Sequence, residues 1–360
     1  MNDDLSANAG GLLARPEPRS ENLLAGKRVW VAGHRGMVGS ALIRRLAREN
    51  CALLTCDRAE VDLARQAETE AFVKRRKPDV VLVAAALVGG IMANLTRPAE
   101  FLYQNLMISA NVIDAARQGG VGRLIYLGSS CIYPRDCTQP MLEMDLLSGP
   151  LERTNEAYAV AKIAGLKMVQ AYNRQHSCSF TAVLPPNLYG PGDNYDLESA
   201  HVLPALMRKI HQAKTVGLNR IEIWGSGRPL REFMHVDDVA DACVFLLNHL
   251  PTPDVINIGT GEEISIEDLA CLIADVVGYA GAFNFDRSKP DGTPRKLLDT
   301  SQMNALGWRG TIGLREGLKA TYENVCGSSS DVPWAALPRP DKVQHAIATA
   351  RLGRQAGTIL

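Results

Sequence analysis

Short runs of apolar, β-branched residues alternate with stretches whose apolar positions recur at helical spacing, beginning at Arg28. That alternation predicts a parallel sheet wound with helices. The expected strands are Arg28–Ala32, Ala52–Cys56, Val80–Ala84, Leu124–Leu127 and Thr181–Leu184. Helices are expected between them at Met37–Asn50, Glu68–Arg76 and Leu106–Gln118. The run VVLVAAA from Val80 is apolar throughout, as a strand covered on both faces must be.

Beyond the fifth strand the rhythm weakens. The turn-dense PPNLYGPGDN (Pro185–Asn194) precedes an amphipathic helix opened by His201, a strand at Ile221–Trp224 and a helix capped by Asp237 and Asp238. The strand VINIG and a helix at Ile266–Val277 follow. The expected fold class is therefore α/β: a parallel-sheet domain over residues 25–184, then a smaller C-terminal substrate-binding domain over 185–326 with segments returning to the sheet. Residues 1–24 are polar and mixed in charge and read as a disordered extension. The Ser-, Pro- and Ala-rich residues 327–360 read as a loosely attached tail.

Composition narrows the function classes. Lys plus Arg and Asp plus Glu balance at 39 each, which argues against nucleic-acid binding through a basic face. No apolar run approaches the roughly 18 residues that span a bilayer, and the N-terminus lacks the order of a signal peptide. The eight cysteines are scattered, without CxxC pairs or zinc spacing, so reduced thiols in a cytoplasmic protein and no metal are expected.

Candidate chemistry begins after the first strand. In VWVAGHRGMVGSALIRRL, glycines 33, 36 and 39 stand between strand and helix. The turn must be sharp and its backbone must approach a pyrophosphate, while the helix N-terminus offers free N–H groups. Gly33, His34, Arg35, Gly36, Met37, Val38 and Gly39 thus form the candidate dinucleotide cradle. Arg35 and Arg58 suit the 2′-phosphate of NADP, whereas Asp57 stands where an NAD enzyme binds ribose. NADP is the expected cofactor.

LGSSCIYP (Leu127–Pro134) follows the fourth strand, and Tyr158 and Lys162 lie one helical turn apart farther on, with Thr154 and Asn155 as candidate caps. A nearby ammonium is expected to lower the pKa of the phenol, and Ser129 or Ser130 can hold a carbonyl beside it.

The glycine loop, the serine-rich strand end and YxxxK together resemble the extended short-chain dehydrogenase/reductase family, from about Lys27 to Tyr322. The resemblance implies a Rossmann-type sheet domain, Tyr158 as proton donor, and Lys162 as its electrostatic partner and a ribose ligand. It implies a homodimer through the Tyr158 helix, whose Ala157, Ala161, Ala164, Gly165 and Met168 form a small-residue seam; the alternative is a seam packed on the chain's own sheet. The cofactor set extends to Leu127, Gly128, Ser129, Ser130, Pro185, Pro186, Asn187, Leu188 and His201.

The blocks VGGIMAN, GSSCIYP, NEAYAVAKIAG, NLYGPGDN, REFMHVDD and KPDGTPRK resemble one branch of that family. Its members epimerise GDP-4-keto-6-deoxy-D-mannose at C3 and C5, then reduce C4 with NADPH to give GDP-L-fucose. The chain departs from that branch at Leu87, where lysine is frequent, and at Cys56–Asp57. A C4 ketone acidifies the hydrogens on C3 and C5, and inversion needs a base on one face and an acid on the other. Cys131 and His201 are implied for those roles, with Ser129 and Tyr158 holding the enolate oxygen. The resemblance assigns Lys209, Trp224, Arg231 and Asp291 to the GDP end. The rival expectations are another nucleotide-sugar 4-epimerase or reductase, and a non-catalytic NADP-sensing protein.

Overall fold

The computed structural model describes residues 22–289 and 291–327. Of the tail expected at 327–360 only Gly327, the last residue of a helix, is among them, and most of the N-terminal extension lies outside them. The sheet half runs β1 (Arg28–Ala32), α1 (Met37–Leu46), β2 (Ala52–Leu54), α2 (Gln66–Arg76), β3 (Val80–Val83) and α3 (Ile91–Thr96). It continues with α4 (Pro98–Gln118), β4 (Arg123–Leu127), α5 (Glu156–His176) and β5 (Phe180–Leu184). Next come β6 (Asn187–Tyr189), α6 (Val202–Thr215), β7 (Arg220–Trp224), β8 (Leu230–Arg231), β9 (Phe233–His235) and α7 (Val236–Asn248). The chain then forms β10 (Val255–Asn257), β11 (Ile264–Ser265), α8 (Ile266–Val277), β12 (Ala282–Asp286), β13 (Arg295–Lys296), α9 (Ser301–Ala305) and α10 (Leu314–Gly327).

Six parallel strands form the main sheet in the order β10-β5-β4-β3-β1-β2. The direction of winding reverses between β1 and β3, and the crevice at their carboxyl ends is where such sheets take ligands. One apolar layer, including Trp30, Phe72, Ile113 and Tyr126, covers one face of the sheet. The other includes Leu42, Leu82, Val239 and Leu246. A separate core of Leu206, Ile210, Ile223, Leu269, Ile273 and Leu318 supports the smaller lobe. The late strand β10 returns to the main sheet beside β5.

Several local expectations change. Leu24 is fully buried, and the Leu23 amide donates to Asn248 Oδ1 at 2.9 Å, so the end of the expected extension is packed. Helix α4 starts at Pro98, well before Leu106, because proline fits the first helical turn where its missing N–H costs nothing. Asn155 stands at the cap of α5 without making a side-chain cap bond. His235, not an aspartate, caps α7, its Nδ1 accepting the Asp237 amide at 3.2 Å. Asp237 pairs with Arg44, while Asp238 accepts the Thr311 and Ile312 amides at 3.1 and 3.0 Å. Both carboxylates still favour the positive helix end. The small-residue seam of α5 divides: Ala161 and Gly165 are buried, and a Cβ on Gly165 would sit 2.4 Å from Tyr126 Oη of the chain's own sheet.

Candidate active site

The loop after β1 is set by sterics. Gly33 has φ +86°, and a Cβ there would meet Ala85 Cα at 2.6 Å; on Gly39 it would lie 2.0 Å from the Gly33 carbonyl. Gly36 differs. Its φ is −71°, and an added Cβ would make only an ordinary 3.5 Å contact, so the chain's own packing does not require glycine there. Gly36 caps α1 without a side-chain acceptor, leaving the first-turn N–H groups facing the crevice end. A phosphate-sized cradle that a Cβ would narrow, at a free helix N-terminus, fits a dinucleotide.

At the end of β2, Arg35 Nη2 donates to Asp57 Oδ2 at 2.8 Å, and His34 Nε2 lies 3.5 Å from Oδ1. The carboxylate is thus tied to Arg35 of the glycine loop through one oxygen, while Oδ1 accepts no hydrogen bond. Arg58 is exposed next to it. The remaining cofactor candidates gather along the carboxyl edge of the sheet. Leu127, Gly128, Ser129 and Ser130 leave β4, and Pro185, Pro186, Asn187 and Leu188 leave β5. The two ends are joined where the Ser130 amide donates to the Pro185 carbonyl at 2.9 Å. Asn187 is fixed by its Nδ2 donating to the Glu232 carbonyl at 2.9 Å.

Tyr158 and Lys162 share the inner face of α5. The buried Lys162 ammonium donates to the Leu127 carbonyl at 2.8 Å and lies 5.9 Å from the Tyr158 ring centroid. Burial lowers the Lys162 pKa to about 8. The expected depression of the Tyr158 pKa is not found: burial, then the neighbouring Cys131 and Tyr126, push it up, against a hydrogen bond with Ser129. A phenol held protonated in this way suits proton donation.

Ser129 caps the short turn Ser130–Ile132, its Oγ accepting the Cys131 amide at 3.2 Å. Ser129 also hydrogen-bonds the Tyr158 phenol, which feels Cys131 as well, so the three side chains lie together. Burial opposes ionisation of the Cys131 thiol most strongly, but Lys296, Ser129 and Arg231 together bring its pKa below the ordinary value. Lys296 Nζ stands 3.4 Å from Cys131 Sγ. Lys296 was not singled out in the sequence, although the KPDGTPRK block contains it.

His201 caps α6 without a side-chain cap bond, at an exposed position. Surrounding protein lowers its pKa first by desolvation and then through Lys296, so the same ammonium acts on both His201 and Cys131. The preceding loop is seated on the VGG block. The Gly90 amide donates to the Ser199 carbonyl at 2.9 Å, and a Cβ on Gly90 would lie 2.6 Å from the Ala200 carbonyl. Gly90 therefore sets the approach of His201.

On the smaller lobe, Trp224 is half exposed, with Lys209 Nζ 5.5 Å and Lys289 Nζ 5.2 Å from its ring centroid. A cavity of about 390 Å³ beside it is lined by Ser226, Arg228, Arg287 and Asp291, among others. Asp291 accepts from the Ser226 amide at 2.6 Å and from its hydroxyl at 2.8 Å, which fixes the carboxylate. Arg231 neighbours both regions, since its charge is felt at Cys131 and at Asp291.

Residues 29–259 match the NAD dependent epimerase/dehydratase family. A GDP-L-fucose synthase from Sinorhizobium fredii is 53% identical, the match covering 86% of this chain and 98% of that protein. One from Escherichia coli is 50% identical over 82% of this chain and 96% of its own length. A GDP-L-fucose synthetase from Naegleria fowleri, solved bound to NADP, has a TM-score of 0.77 at 27% identity, the match covering 85% of this chain and 95% of that one. A sheet wound in this order, a glycine-built cradle, a Tyr–Lys pair and these similarities have one explanation: the chain belongs to the NAD dependent epimerase/dehydratase family, within the extended short-chain dehydrogenase/reductases, and to its GDP-L-fucose synthase branch.

Proposed function

We propose that this chain converts GDP-4-keto-6-deoxy-D-mannose to GDP-L-fucose, by epimerisation at C3 and C5 followed by NADPH-dependent reduction at C4. The observation that carries the reading is the Cys131 thiol, drawn toward ionisation in the pocket that also holds Ser129 and Tyr158. A simple 4-reductase or 4-epimerase has no use for a basic sulfur there. A binding protein without catalysis has no use for a Tyr–Lys relay.

In the epimerisation, Cys131 takes a proton from the carbon next to the ketone, and His201 returns one to the opposite face. Ser129 and Tyr158 donate hydrogen bonds to the enolate oxygen, which are strongest when that oxygen carries charge. In the reduction, Tyr158 gives its proton to the C4 oxygen, and Lys162 stabilises the phenolate left behind. NADPH, when bound, supplies the hydride. Gly33–Gly39 seat its pyrophosphate, and Arg35 with Arg58 take the 2′-phosphate, the Arg35–Asp57 pair relieving the carboxylate's repulsion. Lys209 and Arg231 neutralise the substrate diphosphate, while Trp224 and Asp291 engage the nucleoside.

We infer a homodimer through α4 and α5, where Leu102, Tyr103 and Val160 are exposed apolar side chains on neighbouring helices. No helix among the described residues is long and apolar enough to cross a membrane. A cytoplasmic location is inferred from the scattered cysteines. The test of function is NADPH oxidation against a panel of 4-keto nucleotide sugars. GDP-4-keto-6-deoxy-D-mannose should be turned over in preference to UDP- and dTDP-linked analogues, with GDP-L-fucose as product. Equal turnover of the panel, or a product inverted at neither C3 nor C5, contradicts the proposal.

A further inference from the structure

The thiol of Cys131 is placed against a cation that no part of the cofactor or diphosphate assignment uses. Strand β13 contributes Lys296, and its parallel register with β8 makes Lys296 the partner of Arg231. Register partners present their side chains on one face of a sheet, so two cationic side chains lie side by side. Like charges at such positions repel unless an anion lies between them. Cys131 supplies the candidate: Lys296 Nζ is 3.4 Å from its sulfur. Among the described residues Lys296 has no carboxylate within ion-pair distance. The other charges around the pocket are already paired, Arg135 with Glu152 at 3.5 Å and Arg295 with Glu263 at 2.8 Å.

The backbone that carries Lys296 is held at several points. The Leu297 amide donates to Gln139 Oε1 at 2.8 Å, and the Leu298 amide to Glu232 Oε2 at 3.1 Å. Glu232 is fully buried and directly follows Arg231, so one carboxylate ties β8 to the residues after β13. Its other oxygen accepts the Thr260 and Gly261 amides at 2.6 and 2.9 Å. The backbone from which the two cations extend is therefore held in place beside the Cys131 turn.

We propose that Lys296 is a positioning residue that holds Cys131 as a thiolate, with Arg231 as the second cation, so that the sulfur enters the reaction as a base. This rests on the reading of Cys131 as the epimerisation base. The groups facing the sulfur are Lys296 from β13, Arg231 from β8, Ser129 from its own turn and Tyr158 from α5. Only the first two are cations. When the thiolate takes the substrate proton, the negative charge passes to the enolate oxygen, and the same ammonium remains near the pocket to offset it.

The test uses the full-length protein with Lys296→Gln, Lys296→Met and Lys296→Arg. Thiolate absorbance is titrated as a difference against Cys131→Ser, and hydrogen exchange at C3 and C5 is followed across pH. The neutral variants should move the Cys131 titration midpoint upward by about one pH unit or more. Exchange near neutral pH should fall by roughly tenfold and recover as pH rises, while Lys296→Arg keeps most of both. An unchanged midpoint in the neutral variants overturns the proposal. So does an exchange loss that is equal at every pH and accompanied only by a higher KM, which would make Lys296 a substrate ligand. Two neutral variants are used so that a folding defect in one leaves the other to decide. Undiminished exchange in Cys131→Ser would instead contradict the proposed function itself, whatever Lys296 does.

Discussion

The glycine cradle after β1 and the pocket around Cys131, proposed as the epimerisation site, are built by different physics. The cradle is a continuous stretch, Gly33 to Gly39, whose form is dictated by how closely backbone atoms approach one another. The pocket gathers Cys131, Tyr158, His201, Arg231 and Lys296 from separate segments, and charge rather than shape relates them. The first is fixed by contacts a single methyl group disrupts. The second is tuned by groups that can be displaced or neutralised while the fold survives.

Three substitutions and one change of pH sharpen that contrast. Gly39→Ala places a Cβ 2.0 Å from the Gly33 carbonyl, so the loop must rearrange; a loss of about 3 kcal/mol or more is expected, read as a fall in Tm with cofactor binding abolished. Gly36→Ala, by contrast, should keep its Tm and weaken NADPH binding on the order of tenfold, about 1.4 kcal/mol, because its Cβ makes only an ordinary contact with the chain but would narrow the cradle. Equal Tm losses for the two would break the distinction. Gly90→Ala pushes on the Ala200 carbonyl and shifts His201; exchange at C3 and C5 should fall by about 10²-fold while NADPH affinity holds. The smallest effect is in pH dependence. Lys162 carries its charge below a pKa of about 8 and loses it above, so reduction should decline as pH rises through that value. Exchange should not decline with it, because a higher pH favours the thiolate. Parallel loss of both activities would show that the two steps share one titrating group.

The same contrast explains what the sequence could disclose. The β1–loop–α1 unit and the Tyr158–Lys162 pair rest on short spacings, and both are found where the spacing places them. The helix Ile266–Val277 has the expected bounds, since Ser265 caps it and Gly278 ends it in the left-handed region. Long-range partners left no comparable signal. Lys296 becomes informative only when β13 pairs with β8, and Asp238 looks like a helix cap until the Thr311–Ile312 backbone is seen to approach it. The Tyr158 phenol departs from expectation for a related reason: spacing gives its distance from Lys162 along the helix but not the depth at which the phenol is buried. The Gly165 seam was open to two readings because a helix face does not reveal its own partner, here Tyr126.

The central claim is that one pocket performs two separable reactions, and product isotope analysis in heavy water tests it most directly. The unmodified protein should place deuterium at C3 and C5 of the fucosyl product. Cys131→Ser should lose that label, whereas Tyr158→Phe should still exchange it into unreduced substrate while reduction falls by roughly 10²–10⁴. Label entering at the normal rate in Cys131→Ser, or vanishing to the same extent in both variants, would contradict the account.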